Sequence, residues 1–212
     1  IEEAQMKKQV LRLTAYKRAL LKMRSLGFQK VFSDNLAEAA GVSAALVRKD
    51  FSQLRIPGNR RGGYDLSVLL GHLETILGNH GEEAVILVGA GNLGRALIRR
   101  KSFSGERIRI VAAFDSDPAR HNPAAETPIL PVETMADYIR GRGIRIAIMT
   151  VPEQGARDVY ETLLGCRIAG ILNFAPVALA STERCWVNNI NLGLELEAVL
   201  YFVANKEDPG HE

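Results

Sequence analysis

A short glycine-rich segment near the middle of the chain has the residue types and spacing that bind phosphate groups. Residues 89–94 read Gly-Ala-Gly-Asn-Leu-Gly, which is a GxGxxG pattern. The apolar run at 84–88 is typical of a buried strand, and residues 95–98 are typical of a helix. Because backbone N–H groups at a helix N-terminus bind anions, the segment predicts a site for the pyrophosphate of a dinucleotide.

Each glycine of this segment has an expected role, and an acidic residue follows at a suitable distance. Gly89 would make the tight turn, Gly91 would let the backbone approach the pyrophosphate, and Gly94 would let helix and strand pack closely. Asp115 ends the next apolar run and would accept hydrogen bonds from the adenosine ribose hydroxyls. Its charge would repel a 2′-phosphate, so the expected cofactor is NAD(H) rather than NADP(H). A CoA- or other nucleotide-binding module stays open as an alternative.

Two later segments also follow apolar runs and are expected to wall the nicotinamide half of the site. They lie at 150–152 and 173–176, and ligands bind at the carboxyl ends of parallel strands in such sheets. Ordinary loops bounded by proline would explain them equally well. The expected cofactor-binding residues are Gly89, Ala90, Gly91, Asn92, Leu93, Gly94, Asp115, Ser116, Thr150, Val151, Pro152, Asn173 and Phe174.

Catalytic residues are not expected. A hydride-transferring enzyme usually has an acid or base beside the nicotinamide, yet no histidine stands near the two later segments, and Tyr138 is followed four residues on by Arg142 rather than lysine. An NAD-dependent oxidoreductase with a basic appendage remains the alternative, since distant residues can converge. Cys166 and Cys185 lack metal-ligand spacing. We expect no metal site and interpret both cysteines as packing residues, with a redox role left open.

The positive charge of the chain is concentrated in its first part. Residues 1–80 hold 13 lysines and arginines against 7 acidic residues, whereas residues 81–212 hold 14 against 17. This asymmetry predicts a polyanionic partner for the first part only. No apolar run is long enough to span a bilayer, so we expect a cytoplasmic protein without a membrane partner.

The basic part contains the pattern of a helix-turn-helix. Two short helices are predicted on either side of Gly41, the first capped by Ser33 and the second by Ser43. In the second helix, Val47 and Phe51 share one stripe, while small and basic residues occupy the other face. A recognition helix that enters the major groove needs such a face. A helical hairpin with a solvated charged face would show the same pattern.

The following segment, residues 54–64, favours the DNA-binding interpretation. It is basic and rich in glycine, and its turn signal predicts a small β wing with two arginines at the tip. A basic wing after a helix-turn-helix is typical of a winged-helix domain that reaches a minor groove or the backbone. The expected DNA-binding residues are Ser43, Ala45, Arg48, Lys49, Ser52, Arg60, Arg61 and Gly62.

From residue 84 onward, apolar strands alternate with helices. Strands are predicted at 84–88, 108–114, 144–149 and 168–172, and helices at 132–140 and 152–164. Strands this apolar are buried on both faces, which indicates a parallel sheet covered by helices on both sides. The predicted fold class is α/β, with an N-terminal winged helix-turn-helix followed by a Rossmann-type sheet domain.

The whole combination closely resembles the Rex family of redox-sensing repressors. The motifs that carry the resemblance are residues 47–50, 61–64, 88–94, 113–117, 150–152 and 171–176. The resemblance implies a bacterial homodimer that binds operator DNA when NADH is scarce and leaves it when NADH rises. It also implies that the last helix, 192–204, is swapped into the partner subunit, although packing within one chain would explain its apolar composition equally well. We therefore predict three parts, at 1–80, 81–190 and 191–212.

Two positions depart from the family pattern. Arg100 stands where many members have a tyrosine, and Asn191 stands where they have an aspartate. The resemblance implies that these two positions take part in the cofactor-dependent switch. We therefore expect the chain to retain DNA and cofactor binding, and to have an altered preference for NADH over NAD+ or an altered response to it.

Overall fold

The computed structural model describes residues 2–57, 62–78, 81–100 and 108–205. The chain divides into two compact units, Ile1–Gly81 and Glu82–Glu212. Within the described residues, no helix is both long and apolar enough to cross a membrane. The three-part functional division at residues 80 and 190 remains a prediction.

The first unit consists of helices and one small antiparallel ribbon. Its elements are α1 (Glu2–Ser25), β1 (Lys30–Val31), α2 (Ser33–Ala40), α3 (Ala44–Gln53), β2 (Tyr64–Asp65) and α4 (Leu66–Leu77). Strands β1 and β2 pair with each other. Between α2 and α3, Gly41 has φ +66° and ends α2 in the left-handed conformation, which glycine adopts without a steric penalty. The predicted helix-turn-helix is confirmed.

The caps of α2 and α3 differ from one another. The Ser43 side chain accepts a hydrogen bond from the backbone N–H of Leu46, so the predicted cap of α3 is confirmed. The predicted cap of α2 by Ser33 is wrong, because the helix already begins at Ser33 and its N-cap is the extended residue Phe32. The Asn35 side-chain oxygen accepts from the Phe32 N–H at 3.1 Å and satisfies that donor instead.

The core of the first unit fixes which face of α3 is exposed. Phe51 on α3 makes edge-to-face contacts with Tyr16 of α1 and Tyr64 of β2, with ring centroids 5.6 and 5.1 Å apart. Val47, one turn earlier on α3, is also fully buried. The opposite face of the helix is therefore turned to solvent. The expected wing tip, Arg60 and Arg61, lies outside the described residues.

The second unit is built on a six-stranded sheet in which every pairing is parallel. The strand order is β5-β4-β3-β6-β7-β8. The strands are β3 (Glu83–Val88), β4 (Ile108–Asp115), β5 (Ile129–Pro131), β6 (Ile146–Met149), β7 (Gly170–Asn173) and β8 (Trp186–Asn189). The four inner strands match the sequence prediction, whereas the edge strands β5 and β8 were not predicted.

Helices cover both faces of this sheet, as the buried strands indicated. They are α5 (Asn92–Arg99), α6 (Met135–Arg142) and α7 (Glu153–Gly165), followed at the chain end by α8 (Leu192–Ala204). α6 and α7 pack on the face that carries Ile86 and Phe114, and α5 packs on the face that carries Leu87. The predicted helix at 132–140 begins as a 3₁₀ turn, Val132–Thr134, before α6 starts.

The last helix, α8, lies outside the core of its own chain. None of its residues is buried, and its large apolar side chains are between 49% and 67% exposed. These side chains are Leu192, Leu194, Leu196, Val199, Leu200, Tyr201, Phe202 and Val203. Asn191 caps the helix, since its side-chain oxygen accepts from the N–H groups of Gly193 and Leu194. Exposed apolar side chains clustered on one helix are typical of an interaction site.

Candidate dinucleotide cleft and nucleic-acid interface

The strand order creates a cleft at one edge of the sheet. β3 lies in the middle of the sheet, between β4 and β6. The chain that leaves β3 goes to β4 on one side, whereas the chain that leaves β6 goes to β7 on the other side, so the two loops run in opposite directions. Loops that leave such a switch point diverge and open a crevice beyond the carboxyl ends of the strands. The segments that begin at Gly89, Asp115 and Thr150 all lie at this edge.

The first and last glycines of the GxGxxG segment are required by the fold. Gly89 has φ +99°, and a Cβ there would lie 2.7 Å from the carbonyl oxygen of Thr150. A Cβ on Gly94 would collide with the carbonyl oxygen of Gly89. The loop can therefore lie against β6 and α5 only with glycine at these two positions.

The middle glycine borders open space. Within 4 Å of a Cβ built on Gly91, the nearest atom is Nη1 of Arg120 at 3.8 Å. Gly91 is also the N-cap of α5 and makes no side-chain cap. Its small size leaves the backbone of the loop accessible, and the first N–H groups of a helix without a side-chain cap are suited to an anion.

Asp115 joins the end of β4 to this loop. It is 5% exposed, and its Oδ2 accepts from the Ala90 N–H at 2.6 Å while Oδ1 accepts from the Asp117 N–H at 2.9 Å. Burial alone would raise the pKa of Asp115, but these two amides and the guanidinium of Arg120 outweigh it and hold the pKa below its ordinary value. The carboxylate is therefore ionised at neutral pH and already bound to three donors.

Arg120 belongs to the cleft and was missed by the sequence analysis. Its guanidinium contacts Oδ2 of Asp115 at 3.1 Å and Oδ2 of Asp117 at 3.2 Å. The 3₁₀ turn Pro118–Arg120, which Asp117 caps through the Ala119 N–H, carries the side chain to this position. Arg120 partly cancels the negative charge on which the expected preference for NAD(H) over NADP(H) was based.

A cavity of about 940 Å³ lies beside the loop, a volume typical of cofactor sites. Seven of the predicted cofactor-binding residues line it, namely Gly89, Gly91, Asp115, Ser116, Thr150, Val151 and Pro152. Half of the remaining lining comes from α6 and α7 and was not predicted, because a helical residue gives no sequence signal of which cavity it borders. These lining residues include Met135, Ala136, Gly155, Asp158, Val159 and Thr162.

The other predicted cofactor-binding residues do not line this cavity. Ala90 and Gly94 are buried within the loop and α5, while Asn92 and Leu93 are exposed on the first turn of α5. Asn173 is fully buried. Its Nδ2 donates to the oxygens of Val177 and Asn189, and its Oδ1 accepts from the Ala175 N–H.

Asn173 therefore connects the segment that follows β7 to the last residue of β8. Phe174, the neighbouring residue, is half-buried and packs on the face of the sheet that α5 covers. Sequence spacing placed both residues at the correct edge of the sheet but did not give the direction of their side chains.

Five of the eight predicted DNA-binding residues lie on one exposed face of the first unit. Ser43, Ala45, Arg48, Lys49 and Ser52 are all exposed, on α3 or at its cap. Gly62, next to β2, is half-buried, while the other two predicted wing residues, Arg60 and Arg61, lie outside the described residues. The exposed face of α3 combines small residues with two cations, a composition suited to a DNA groove.

A buried acidic residue, Asp50, follows these cations directly. It is 1% exposed and accepts two hydrogen bonds from Arg12, at 2.7 and 2.8 Å, and one from the Tyr16 hydroxyl at 3.0 Å. Burial and the hydrogen bond to Asp50 raise the pKa of Tyr16 to about 12. No role for Asp50 is predicted from the sequence, because its partners lie 34 and 38 residues away.

The two predicted switch positions lie at helix ends. Arg100 is exposed and follows the last residue of α5, and Asn191 caps α8.

The two cysteines differ in burial: Cys166 is half-buried and Cys185 is buried. Burial raises the pKa of the Cys185 thiol, which disfavours the reactive thiolate.

Comparison with known protein families identifies both parts of the chain. Residues 7–52 match a model described as a putative DNA-binding protein N-terminus, and residues 80–177 match a model described as a CoA binding domain. The second match covers the glycine segment, Asp115 and Thr150.

Whole-chain relatives are redox-sensing transcriptional repressors named Rex. The protein from Listeria welshimeri is 34% identical over 92% of this chain and 91% of its own length. The protein from Streptococcus equi subsp. equi is 35% identical over 91% of each chain. A third, from Desulforamulus reducens, is 33% identical over 93% of this chain and 95% of its own length.

Solved structures with the same fold come from a Rex-family repressor called RSP. The crystal structure of RSP in complex with β-NAD+ and operator DNA has a TM-score of 0.85 and 28% identity, and covers 95% of this chain and 93% of RSP. RSP in complex with β-NADH has a TM-score of 0.78, 28% identity and 94% coverage of each chain. With more than 30% identity to curated members across nine-tenths of its length, the chain belongs to the Rex family of redox-sensing transcriptional repressors, which are regulators rather than enzymes.

Proposed function

We propose that this chain binds operator DNA through α3 and the wing, and releases it when NADH occupies the cleft of the second unit. The observation that carries the proposal is the presence, in one chain, of an exposed recognition face and a glycine-loop cleft at a strand switch point. The solved RSP complexes with NAD+ and operator DNA and with NADH support the same pairing of ligands.

The cleft would hold the dinucleotide by its pyrophosphate and its adenosine ribose. The pyrophosphate would lie over Gly91 and the N-terminus of α5, where backbone N–H groups are accessible. The ribose hydroxyls would bind Asp115, whose lowered pKa keeps it an acceptor at neutral pH. Arg120 would have to share Asp115 with the ribose, which makes it a further contact for the adenosine half.

On the first unit, the DNA would contact the exposed face of α3 and the wing. Arg48 and Lys49 would bind phosphates or guanine edges, and the small residues Ser43, Ala45 and Ser52 would allow close approach to the major groove. Arg60, Arg61 and Gly62 are proposed to contact the minor groove or the backbone. NADH can release the DNA only if it binds the DNA-incompetent state more tightly than the competent one.

We propose a cytoplasmic homodimer in which each α8 packs against the partner subunit. The exposed apolar side chains of α8 support this proposal, because a helix of this composition does not remain bare in water. A dimer also presents two recognition helices, which fit two half-sites of a palindromic operator.

The proposal is tested by selecting specific duplexes from a palindromic library at fixed salt, without ligand and with NADH, NAD+ or CoA. We expect specific binding that NADH reverses and that CoA leaves unchanged. The match to a CoA binding domain makes CoA the necessary comparison. Release by CoA and not by NADH would favour a CoA-responsive module, and steady NADH oxidation would favour the oxidoreductase alternative.

Two variants separate the sites. Arg48→Ala should weaken operator binding and leave NADH affinity unchanged, whereas Asp115→Ala should weaken NADH binding and leave DNA binding by the ligand-free protein intact. Arg24→Ala is a matched control for the first, because Arg24 is an exposed arginine of the same unit on a different helix. Equal operator affinity in Arg48→Ala and wild type would contradict the DNA assignment.

A further inference from the structure

The hydrogen-bonded group formed by Arg12, Tyr16 and Asp50 connects α1 to the middle of α3. Asp50 stands directly after Lys49 and two residues after Arg48, the two cations of the exposed face. An ionised carboxylate is costly to bury unless donors surround it. Here three donors satisfy it, with two from the Arg12 guanidinium and one from Tyr16.

This contact is directional, unlike the apolar packing around it. Arg12 binds Asp50 through two parallel N–H···O bonds, at 2.8 Å from Nε and 2.7 Å from Nη2. A bidentate fork of this kind fixes the mutual orientation of its two groups. Val47 and Phe51 attach the same helix to the core through apolar contacts, which do not depend strongly on direction.

A partly buried ion pair is weak evidence for a stabilising role, and here the Arg12 side chain is 24% exposed and the Asp50 side chain 1%. Replacing a buried pair by well-packed apolar residues is often neutral or stabilising, because desolvation offsets much of the attraction. A negative charge is also unfavourable on a helix that approaches phosphates, and Asp50 is 1% exposed, so it is withdrawn from the DNA-facing surface. The group therefore fits a role in orienting α3 better than a role in stabilising it.

We propose that Arg12, Tyr16 and Asp50 form a positioning clamp that sets the orientation of α3 and thereby the sequence discrimination of operator binding. This inference rests on the proposed function, since it assumes that α3 reads DNA. The three are positioning residues, and Asp50 acts through Arg48 and Lys49 rather than by touching DNA itself.

The decisive variant is the charge-neutral double change Arg12→Met with Asp50→Leu. It removes the directional bonds, replaces them with apolar side chains of similar size and leaves the net charge of the unit unchanged. Dissociation constants are measured in the ligand-free full chain for the operator and for a scrambled duplex of equal length. We expect the operator to bind this variant at least about tenfold more weakly than it binds wild type, so that its advantage over the scrambled duplex falls by the same factor. Binding to the scrambled duplex, its salt dependence and NADH affinity should be unchanged.

Two further variants test how the loss of discrimination depends on the number and charge of the hydrogen bonds removed. Tyr16→Phe removes one hydrogen bond at nearly constant shape and should lower discrimination less than the double change does. Asp50→Asn leaves Arg12 without its ionic partner and should lower discrimination strongly. Urea unfolding measures the stability of each variant. If the three residues had only a structural role, every variant as stable as wild type would also discriminate between the two duplexes as well as wild type does.

The control variant Arg48→Ala separates this inference from the proposed function. If Arg48→Ala weakens operator binding while the folded double variant discriminates as well as wild type, the clamp is overturned and the proposed function stands. If wild type itself does not prefer the operator over the scrambled duplex, both are overturned. Loss of discrimination in the stable double variant is the result that establishes the clamp.

Discussion

The Thr150 hydroxyl donates a 2.6 Å hydrogen bond to the carbonyl oxygen of Gly89. This bond fastens the end of β6 to the first glycine of the loop that follows β3. A Cβ on Gly94 would lie 3.0 Å from the same hydroxyl oxygen, so Thr150 also lies against the start of α5. A residue predicted to touch the cofactor therefore shapes the floor of the cleft as well.

Replacing Thr150 with valine should weaken dinucleotide binding while the shape of the cleft is kept. Valine fills nearly the same volume but cannot donate to Gly89, and one lost hydrogen bond of this kind is worth about 1 kcal/mol. The loop that loses this bond must be ordered by the ligand instead, so we expect NADH affinity to fall by up to about fivefold, measured by calorimetric titration. Thr75→Val is the control, since the Thr75 hydroxyl also donates to a backbone oxygen but belongs to the first unit. Equal losses in both variants would contradict a role at the cleft.

Gly91 and Gly94 should respond differently to alanine. Gly91 borders open space, so Gly91→Ala should leave the stability of the ligand-free protein unchanged and lower NADH affinity by about tenfold or more, because a methyl group would hold the pyrophosphate away from the backbone. Gly94→Ala should instead destabilise the second unit by about 1–3 kcal/mol, because its methyl group would collide with Gly89. Urea unfolding and NADH titration of both variants check the contrast.

The opposite assignment has a clear signature. If Gly91→Ala destabilised the protein as much as Gly94→Ala did, the accessible surface at Gly91 would be structural rather than reserved for a ligand.

Local sequence patterns were sufficient for the inner sheet and the cleft edge. The apolar runs of β3, β4, β6 and β7 are long enough to identify buried parallel strands, and the glycines after β3 identify the loop that borders the cleft. The edge strands were missed for a physical reason. β5 has three residues and ends in proline, and β8 is half asparagine, so neither shows the apolar run that burial on both faces produces.

Side-chain contacts that depend on a local turn or on helix packing could not be predicted in the same way. Arg120 reaches Asp115 only because the 3₁₀ turn folds back, and Asp50 meets Arg12 only after α1 packs on α3. From residue type alone, each of these charged residues is expected to be exposed on the surface. The sequence also left open where the Asn173 side chain points, because an asparagine at the end of a strand can contact a ligand or make buried hydrogen bonds to neighbouring segments.

Alkaline pH should destabilise the first unit through Tyr16. Its pKa is raised to about 12, above the ordinary value of 10, so the folded state holds this proton more tightly than the unfolded state does. The stabilisation is complete below pH 10 and is lost as the pH rises through 12, by about 3 kcal/mol in all. The measurement is the difference in urea unfolding free energy between wild type and Tyr16→Phe at pH 8 and pH 11.5.

Wild type should be the more stable protein at pH 8, because it keeps the bond from Tyr16 to Asp50. That advantage should shrink or reverse at pH 11.5. At this pH the phenol of Tyr16 is ionised in the unfolded state, whereas in the folded state it would have to ionise in a buried position beside the Asp50 carboxylate. A difference that stays constant across this range would show that Tyr16 does not titrate with unfolding.

Placing a charge on α8 should disrupt the proposed dimer. Leu200 and Phe202 are 67% and 64% exposed in the single chain, so a glutamate at either position should barely change the stability of the monomer. In a dimer that buries α8, the same glutamate would be desolvated without a partner. We expect Leu200→Glu and Phe202→Glu to sediment as monomers at concentrations where wild type is dimeric. Glu197→Gln on the same helix is the control and should remain dimeric.

The switch positions Arg100 and Asn191 allow a test of the cofactor response by reversion. Asn191→Asp should keep α8 capped, because a carboxylate accepts from the N–H groups of Gly193 and Leu194 as the amide does. Combined with Arg100→Tyr, it restores the residues that the Rex pattern implies. We expect the double variant to prefer NADH over NAD+ more strongly than wild type, in calorimetric titrations and in operator release. Both changes are at helix ends and should leave the fold unchanged, so any difference from wild type reports on the chemistry of these two side chains. If wild type already prefers NADH as strongly as the double variant does, Arg100 and Asn191 do not alter the cofactor response.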